Sequence, residues 1–254
     1  MSRNRPTQLI FTLALLISLA GCASNDPRDP LEGLNRTVYA FNDVLDRALV
    51  KPVAQGYRAI TPEPVDQGIS NFFSNLNDVG SAVNNLLQFK LARAASDVGR
   101  VAINSTIGIL GFIDVASQLK LEKYGEDFGQ TLGYWGVGPG PYLVLPFFGP
   151  RNVRDTFGMV ADSYLDPVNY AADDDWPHHW KYDIDKDWQY GLKALEVIDT
   201  RADMLGASDV LDVAAIDPYS FVRDAYLQRR DSLVNDGASA ASADAGTEDA
   251  PADW

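Results

Sequence analysis

Residues 65–88, VDQGISNFFSNLNDVGSAVNNLLQ, decide the fold class. Val65, Ile69, Phe72, Leu76, Val79, Val83 and the Leu86/Leu87 pair recur at the spacing of one helix face. Thr61-Pro62-Glu63-Pro64, just ahead, supplies the proline and the acid of a helix start. The opposite face is polar but carries little charge: Asn71, Ser74, Asn75, Asn77, Asn84, Asn85 and Gln88. Amphipathic helices in water usually turn their apolar stripe to a core. Beside lipid the same helix can turn its stripe outward and its amides toward a wet interior.

The pattern repeats on both sides. Asp29-Pro30-Leu31-Glu32 has the order of a capped start, with Asp29 at N-cap, proline at N1 and glutamate at N3. Leu31, Leu34, Val38, Phe41, Leu45 and Leu49 follow as a stripe. A third helical region runs near Leu91 to Asn104. Val153, Phe157, Val160 and Tyr164 mark a short helix that stops before Pro167. Trp188, Leu192, Leu195, Ile198, Ala202 and Leu205 mark a long one, with Gly206 placed to close it as a C′ residue. Asp217-Pro218 repeats the start, and Tyr219, Val222, Tyr226 and Leu233 carry the last stripe. About six helices, no clean period-two strand and no internal repeat predict an all-α domain.

One segment breaks the pattern. Phe128 to Pro150 is uncharged and holds six glycines and four prolines, which predicts that it sustains no α-helix. Tyr142 to Leu145 suits a short strand or one arm of a hairpin. Leu143, Val144, Leu145, Phe147 and Phe148 lie together, flanked by Tyr134, Trp135 and Tyr142. They either fill the core of a small domain or line and gate a lipid-accessible cavity, where irregular backbone is tolerated.

The N-terminus indicates a membrane anchor. Arg3 and Arg5 precede an uncharged stretch, LIFTLALLISL, from Leu9 to Leu19. As a helix it would reach about 16 Å, too short for a hydrocarbon core of roughly 30 Å. Residues 1–21 therefore read as a signal peptide. Leu19-Ala20-Gly21-Cys22 resembles the bacterial lipobox, so Cys22, the only cysteine, is the expected lipidation site. Triacylation would anchor the chain firmly, and Ala23 rather than aspartate after the cysteine suits an outer-membrane destination. Without Arg3 and Arg5 the chain has 19 basic and 35 acidic residues, a net charge of −16. So acidic a chain binds neither nucleic acid nor an anionic bilayer by bulk charge. The expected division is a signal peptide at 1–21, one helical lipoprotein domain at 22–234, and a disordered acidic tail at 235–254.

No catalytic, cofactor or metal constellation is expected. The chain has two histidines, His178 and His179, inside the loop-like Asp173–Trp180 stretch, and no G-x-S-x-G. Neighbouring imidazoles do not by themselves close a metal site. Asp183-Ile184-Asp185-Lys186-Asp187 starts like a calcium loop, but Trp188 and Ala194 stand where that loop needs glycine and glutamate. It reads instead as an acidic first turn of the Trp188 helix. Gly136-Val137-Gly138-Pro139-Gly140-Pro141 lacks the N–H groups of a phosphate cradle at both prolines.

Four stretches resemble the MlaA (VacJ) family of outer-membrane lipoproteins: Asp29 to Asn42 (DPLEGLNRTVYAFN), Asn104 to Asp114 (NSTIGILGFID), Asp127 to Asp155 (DFGQTLGYWGVGPGPYLVLPFFGPRNVRD) and Asp217 to Arg229 (DPYSFVRDAYLQR). The resemblance spans roughly Asp29 to Asp231. It implies a ring of amphipathic helices with one irregular Gly/Pro-rich hairpin, lying in the inner leaflet of the outer membrane around an amphipathic channel. It further implies association with trimeric porins, removal of phospholipids mislocalised to the outer leaflet, and hand-over to a soluble periplasmic carrier, MlaC. On that basis Gly133 to Pro150 would be the gate, and Tyr39, Phe41 and Asn42 would belong to the embedded ring. Two other classes compete. One is a lipid hydrolase using His178 and His179. The other is a structural lipoprotein that braces porins or the envelope without moving lipid.

Overall fold

The computed structural model describes residues 26–170 and 186–237. Cys22 and the signal segment, the Asp173–Trp180 stretch with both histidines, the start of the Asp183–Asp187 run and the tail beyond residue 237 lie outside the described residues.

Helix α1 (Glu32–Leu45) passes through a π turn (Asp46–Val50) into α2 (Lys51–Ile60). Pro52 accounts for the interruption: it has no N–H for the carbonyl one turn earlier, so the ladder loosens there. Then come α3 (Glu63–Leu87), α4 (Leu91–Thr106), the single turn α5 (Val115–Gln118) and α6 (Phe128–Tyr134). Strands β1 (Tyr142–Leu145) and β2 (Gly149–Asn152) form an antiparallel hairpin with Leu143 opposite Arg151. Helix α7 (Val153–Ser163), a 3-10 turn (Pro167–Tyr170), α8 (Lys186–Asp203), α9 (Leu205–Ala214) and α10 (Pro218–Val234) complete the described order. The framework is helical, as the periodicity predicts, with one small sheet.

The packing closes on itself. Helix α2 rests on α8, α8 on α3, α3 on α6, α6 on α10, α10 on β2, and β1 returns to α1. Close crossing of α6 and α7 depends on a lack of side chains. A Cβ at Gly158 would lie 2.5 Å from the Gly129 nitrogen, so both positions exclude anything larger.

Three local expectations are corrected. Asp29 does not cap α1, whose N-cap is Leu31. Its buried carboxylate instead accepts from Asn35 Nδ2 at 2.8 Å and Tyr219 Oη at 2.5 Å, a tertiary use that displaces the local one. Gly206 does not end the long helix, which breaks at Met204 and resumes with Gly206 inside α9. The Gly/Pro-rich run begins with a helix after all. Phe128–Tyr134 precedes the first proline, and Asp127 caps it by accepting from the Gln130 N–H at 2.8 Å.

The polarity of the fold is inverted. Among the described residues the largest fully buried side chains include Arg100, Gln88, Asn35, Asn84 and Asn85. Meanwhile Phe89 is 81% exposed, Val213 89% and Phe157 68%. In water each such side chain forfeits roughly 1.5–3 kcal/mol of burial. Against lipid tails, which are as apolar as leucine, the same exposure carries no such cost. Among the described residues no helix is long and apolar enough to cross a membrane.

Helix α3 shows how the inversion is built. Most of its amide face turns inward, but Asn75, Asn84, Asn85 and Gln88 are buried in a joint between helices rather than spread along an open wall. Asn85 Nδ2 donates to Asp97 Oδ2 at 2.8 Å, Gln88 Nε2 to Thr131 Oγ1 at 3.0 Å, and Thr131 Oγ1 to Asn84 Oδ1 at 2.9 Å. Asn75 Nδ2 reaches Ser105 Oγ at 3.0 Å. These amides fasten α3 to α4 and α6, because a buried polar group must find a partner. Ser74 and Asn77 are the members of that face that line a cavity.

Candidate functional site

Among the described residues, two large adjoining cavities open between the helices. One, of about 670 Å³, is walled by α3, the segment leading into α6, α7, α8 and Arg230 of α10, and is rich in carboxylates, among them Asp78, Asp127, Asp155, Asp162 and Asp199. The other, of about 910 Å³, is more apolar, with Leu45, Val50, Phe147, Phe148, Val197 and Met204 in its walls. Asn77, Arg151, Met159, Asp162, Asp166, Glu196 and Thr200 belong to both, so the two spaces meet there. The lining thus passes from strongly acidic to more apolar, with charged side chains such as Asp46, Lys193 and Arg201 still present in the larger cavity.

The hairpin forms one wall, and helix α1 holds it. Asn35 and Asn42 lie about two turns apart and read the open edge of β1 with their amides. Asn35 donates to the Tyr142 carbonyl at 3.0 Å and accepts from the Val144 N–H at 2.9 Å. Asn42 donates to the Leu145 carbonyl and accepts from the Phe147 N–H, both at 2.9 Å. An edge strand normally leaves such groups unpaired; here side-chain amides stand in for a third strand. Phe147 sits at φ +68°, a left-handed conformation that a bulky side chain rarely adopts. The Asn42 bond to its N–H holds the tip in that conformation, and the Phe41 ring packs edge-on against Phe147 at 5.6 Å.

A buried ionic system anchors the far end of β2. Asp155 receives Arg230 Nη2 at 2.9 Å, Tyr226 Oη at 2.6 Å, Asn152 Nδ2 at 2.8 Å and Arg154 Nε at 3.0 Å. Arg230 also grips Asp127, at 2.5 and 3.0 Å. Burial works to raise the Asp127 pKa, but the Arg230 guanidinium overrides it and holds the carboxyl below its ordinary value. Asp162 behaves oppositely. Burial, then the neighbouring Asp127 charge, push it up to about 6 against the Phe128 N–H and Asn84 amide that favour its ionised form.

That shift has a sign. A carboxyl raised above its unfolded value binds its proton more tightly when folded. Its contribution to stability is therefore fully present below about pH 4 and lost as pH climbs through about 6. In Asp162→Asn, which keeps an acceptor for the Phe128 N–H, thermal midpoints are expected to fall less between those limits than in the unaltered protein. Parallel slopes would contradict the assignment.

The candidate gate residues divide. Phe147 and Phe148, at the hairpin tip, are exposed and line the larger cavity. Val144 points the other way and packs with Tyr142 and Tyr219 in the small apolar cluster under the hairpin. Leu143 and Leu145 are half-buried on the opposite face of β1. Tyr134 and Trp135 lie apart at the end of α6, where Trp135 Nε1 donates to the Leu87 carbonyl at 3.2 Å. The ring of Tyr39 packs edge-on against Tyr219 at 5.7 Å. Sequence reasoning passed over Asn35, Arg151, Asp155 and Arg230. Charges bracketing the uncharged run, Asp127 before it and Arg151, Arg154 and Asp155 after it, were the available signal.

Residues 27–233 match the model of a family described as MlaA lipoprotein. The intermembrane phospholipid transport system lipoprotein MlaA of Escherichia coli (strain K12) is 40% identical over 228 residues, 86% of this chain and 85% of that protein. The protein of the same name from Haemophilus influenzae is 33% identical over 244 residues, 91% and 92% of the two chains. A solved structure concerned with the structural basis for maintenance of bacterial outer membrane lipid asymmetry is 38% identical, with a TM-score of 0.67. It covers 81% of this chain and 98% of that one.

Proposed function

Because the chain belongs to the MlaA lipoprotein family, we propose that it removes phospholipids misplaced in the outer leaflet of the outer membrane and so maintains lipid asymmetry. The observation that carries the reading is the inverted polarity: apolar side chains outside, charged and amide side chains inside, and two joined cavities within. A phospholipid cannot cross hydrocarbon unaided, because its headgroup would lose its hydration. The charged cavity offers that headgroup a polar path while the apolar cavity receives the tails. No covalent bond is made or broken along the route.

Lipidated Cys22 anchors the chain with its helices in the inner leaflet, their exposed stripes against acyl chains. It associates with trimeric porins, and the periplasmic carrier MlaC takes up the released lipid. Phe147 and Phe148, on a tip held by Asn42, form the moving part of the gate. Leu143 and Leu145 back the hairpin and Val144 roots it, while Tyr134 and Trp135 stand apart at the end of α6, against the end of α3.

The test is outer-leaflet phospholipid in a deletion strain, read by an outer-membrane acyltransferase reporter. Intact, Cys22→Ala and Phe148→Asp genes are supplied in turn. Asymmetry restored by the intact gene and lost with both variants is the expected result. A deletion strain with normal asymmetry would remove the transport reading and favour a bracing lipoprotein.

A further inference from the structure

Arg151 is the cation of these cavities that has no described partner. It lies on β2 opposite Leu143 and lines both cavities where they meet. Its Nε is buried and without a hydrogen bond among the described residues. The other cations of the lining are engaged. Lys123 bonds Asp78, Arg230 bonds Asp127 and Asp155, Lys193 bonds Asp166, and Arg201 holds Asp46 at 2.7 Å. A half-buried guanidinium with free donors is a poor element of stability and a good receptor for a phosphate, which it can meet with paired N–H bonds.

The surroundings narrow the ligand further. Among the described residues nine carboxylate side chains line the charged cavity against three cations, and two of those cations are already neutralised. Asp199 and Asp203 share that cavity with Arg151, and neither has a cation partner among the described salt bridges. Asp199 accepts only from hydroxyls, Tyr57 Oη and Ser70 Oγ, both at 2.9 Å. A ligand with a phosphate and an ammonium group fits this charge layout. One with net negative charge is repelled by it.

We propose that Arg151 receives the phosphodiester of a phospholipid at the junction of the two cavities, and that the acidic lining beyond it selects a zwitterionic headgroup over an anionic one. This rests on the reading that phospholipid passes through these cavities. At the junction the phosphate meets Arg151, the ammonium extends toward the acids, and the tails lie along the apolar wall.

The experiment uses the full-length lipoprotein in detergent micelles, titrated calorimetrically with dihexanoyl phosphatidylethanolamine, dihexanoyl phosphatidylglycerol, phosphate-free dihexanoylglycerol and inorganic phosphate. Arg151→Gln is expected to weaken phosphatidylethanolamine binding by about tenfold or more. Arg151→Lys should retain part of the affinity, and dihexanoylglycerol should bind all three proteins alike, showing that the cavity is intact. The unaltered protein should prefer phosphatidylethanolamine to phosphatidylglycerol. Equal phosphatidylethanolamine affinity in Arg151→Gln would overturn the assignment while leaving lipid passage standing. So would inorganic phosphate binding at Arg151 as tightly as the lipid, which would mark a free-anion site. If the unaltered protein bound neither phospholipid, the transport reading itself would fail, and this assignment with it.

Discussion

Arg230→Ala is expected to destabilise the fold by about 3–5 kcal/mol, the range for removing one member of a buried ion pair. Arg230 is 9% exposed and lies between two carboxylates, Asp127 at the N-cap of α6 and Asp155 on α7, that reach it from separate elements. Without it, buried Asp155 keeps only Arg154 as a cation and the partly exposed Asp127 keeps none, at the α6–α7 crossing where Gly129 and Gly158 leave no room for rearrangement. The neighbouring Arg154 already gives its Nε to Asp155 and does not replace it. Arg230→Lys should recover only part of the loss, because one ammonium cannot reproduce two forked contacts. Denaturant unfolding in micelles reads the difference. A loss below about 1 kcal/mol would mean that the pair is solvated, contradicting the buried geometry.

Asn35→Ala should have the next largest effect, about 3 kcal/mol. The change strands the Tyr142 carbonyl and the Val144 N–H and takes a donor from Asp29, all in a dry cluster. Each stranded group costs about 1–3 kcal/mol. Asn42→Ala is the informative contrast. It frees the Leu145 carbonyl and the Phe147 N–H near the exposed hairpin tip, where water replaces the lost partner. Its cost should stay near 1 kcal/mol, with faster amide exchange confined to the tip. Equal losses from the two variants would show that the hairpin is held as one unit rather than rooted at Asn35 and clasped at Asn42.

The lengths of the helices were largely legible because helical periodicity is a local property. The stripe from Val65 to Leu87 and the Asp-Pro start at Asp217 both correspond to described helices. Errors arose where a long-range partner overrode a local preference. Asp29 has the credentials of an N-cap, yet Tyr219, distant in sequence, takes its carboxylate. The β1 strand was legible from Tyr142 to Leu145. Its alternation, with Tyr142 and Val144 inward, depends on the cluster beneath it and on Asn35 at its edge.

The same division holds for the whole protein. By itself the sequence determined helices with two unlike faces, an irregular apolar hairpin and a strongly acidic balance, since period, glycine and proline content, and charge are written residue by residue. Which face turns inward was decided only by the tertiary structure. A stripe has the same period whether it meets a core or a bilayer, and the choice depends on whether the other face can be satisfied. Here the amides of α3 find partners on α4 and α6, and Arg100 finds Asp78 and Asp114, both at 3.0 Å. Once those bonds form inside, apolar side chains such as Val65, Leu86 and Leu87 of α3 are left exposed, while the last stripe turns Tyr219 and Tyr226 inward under the hairpin.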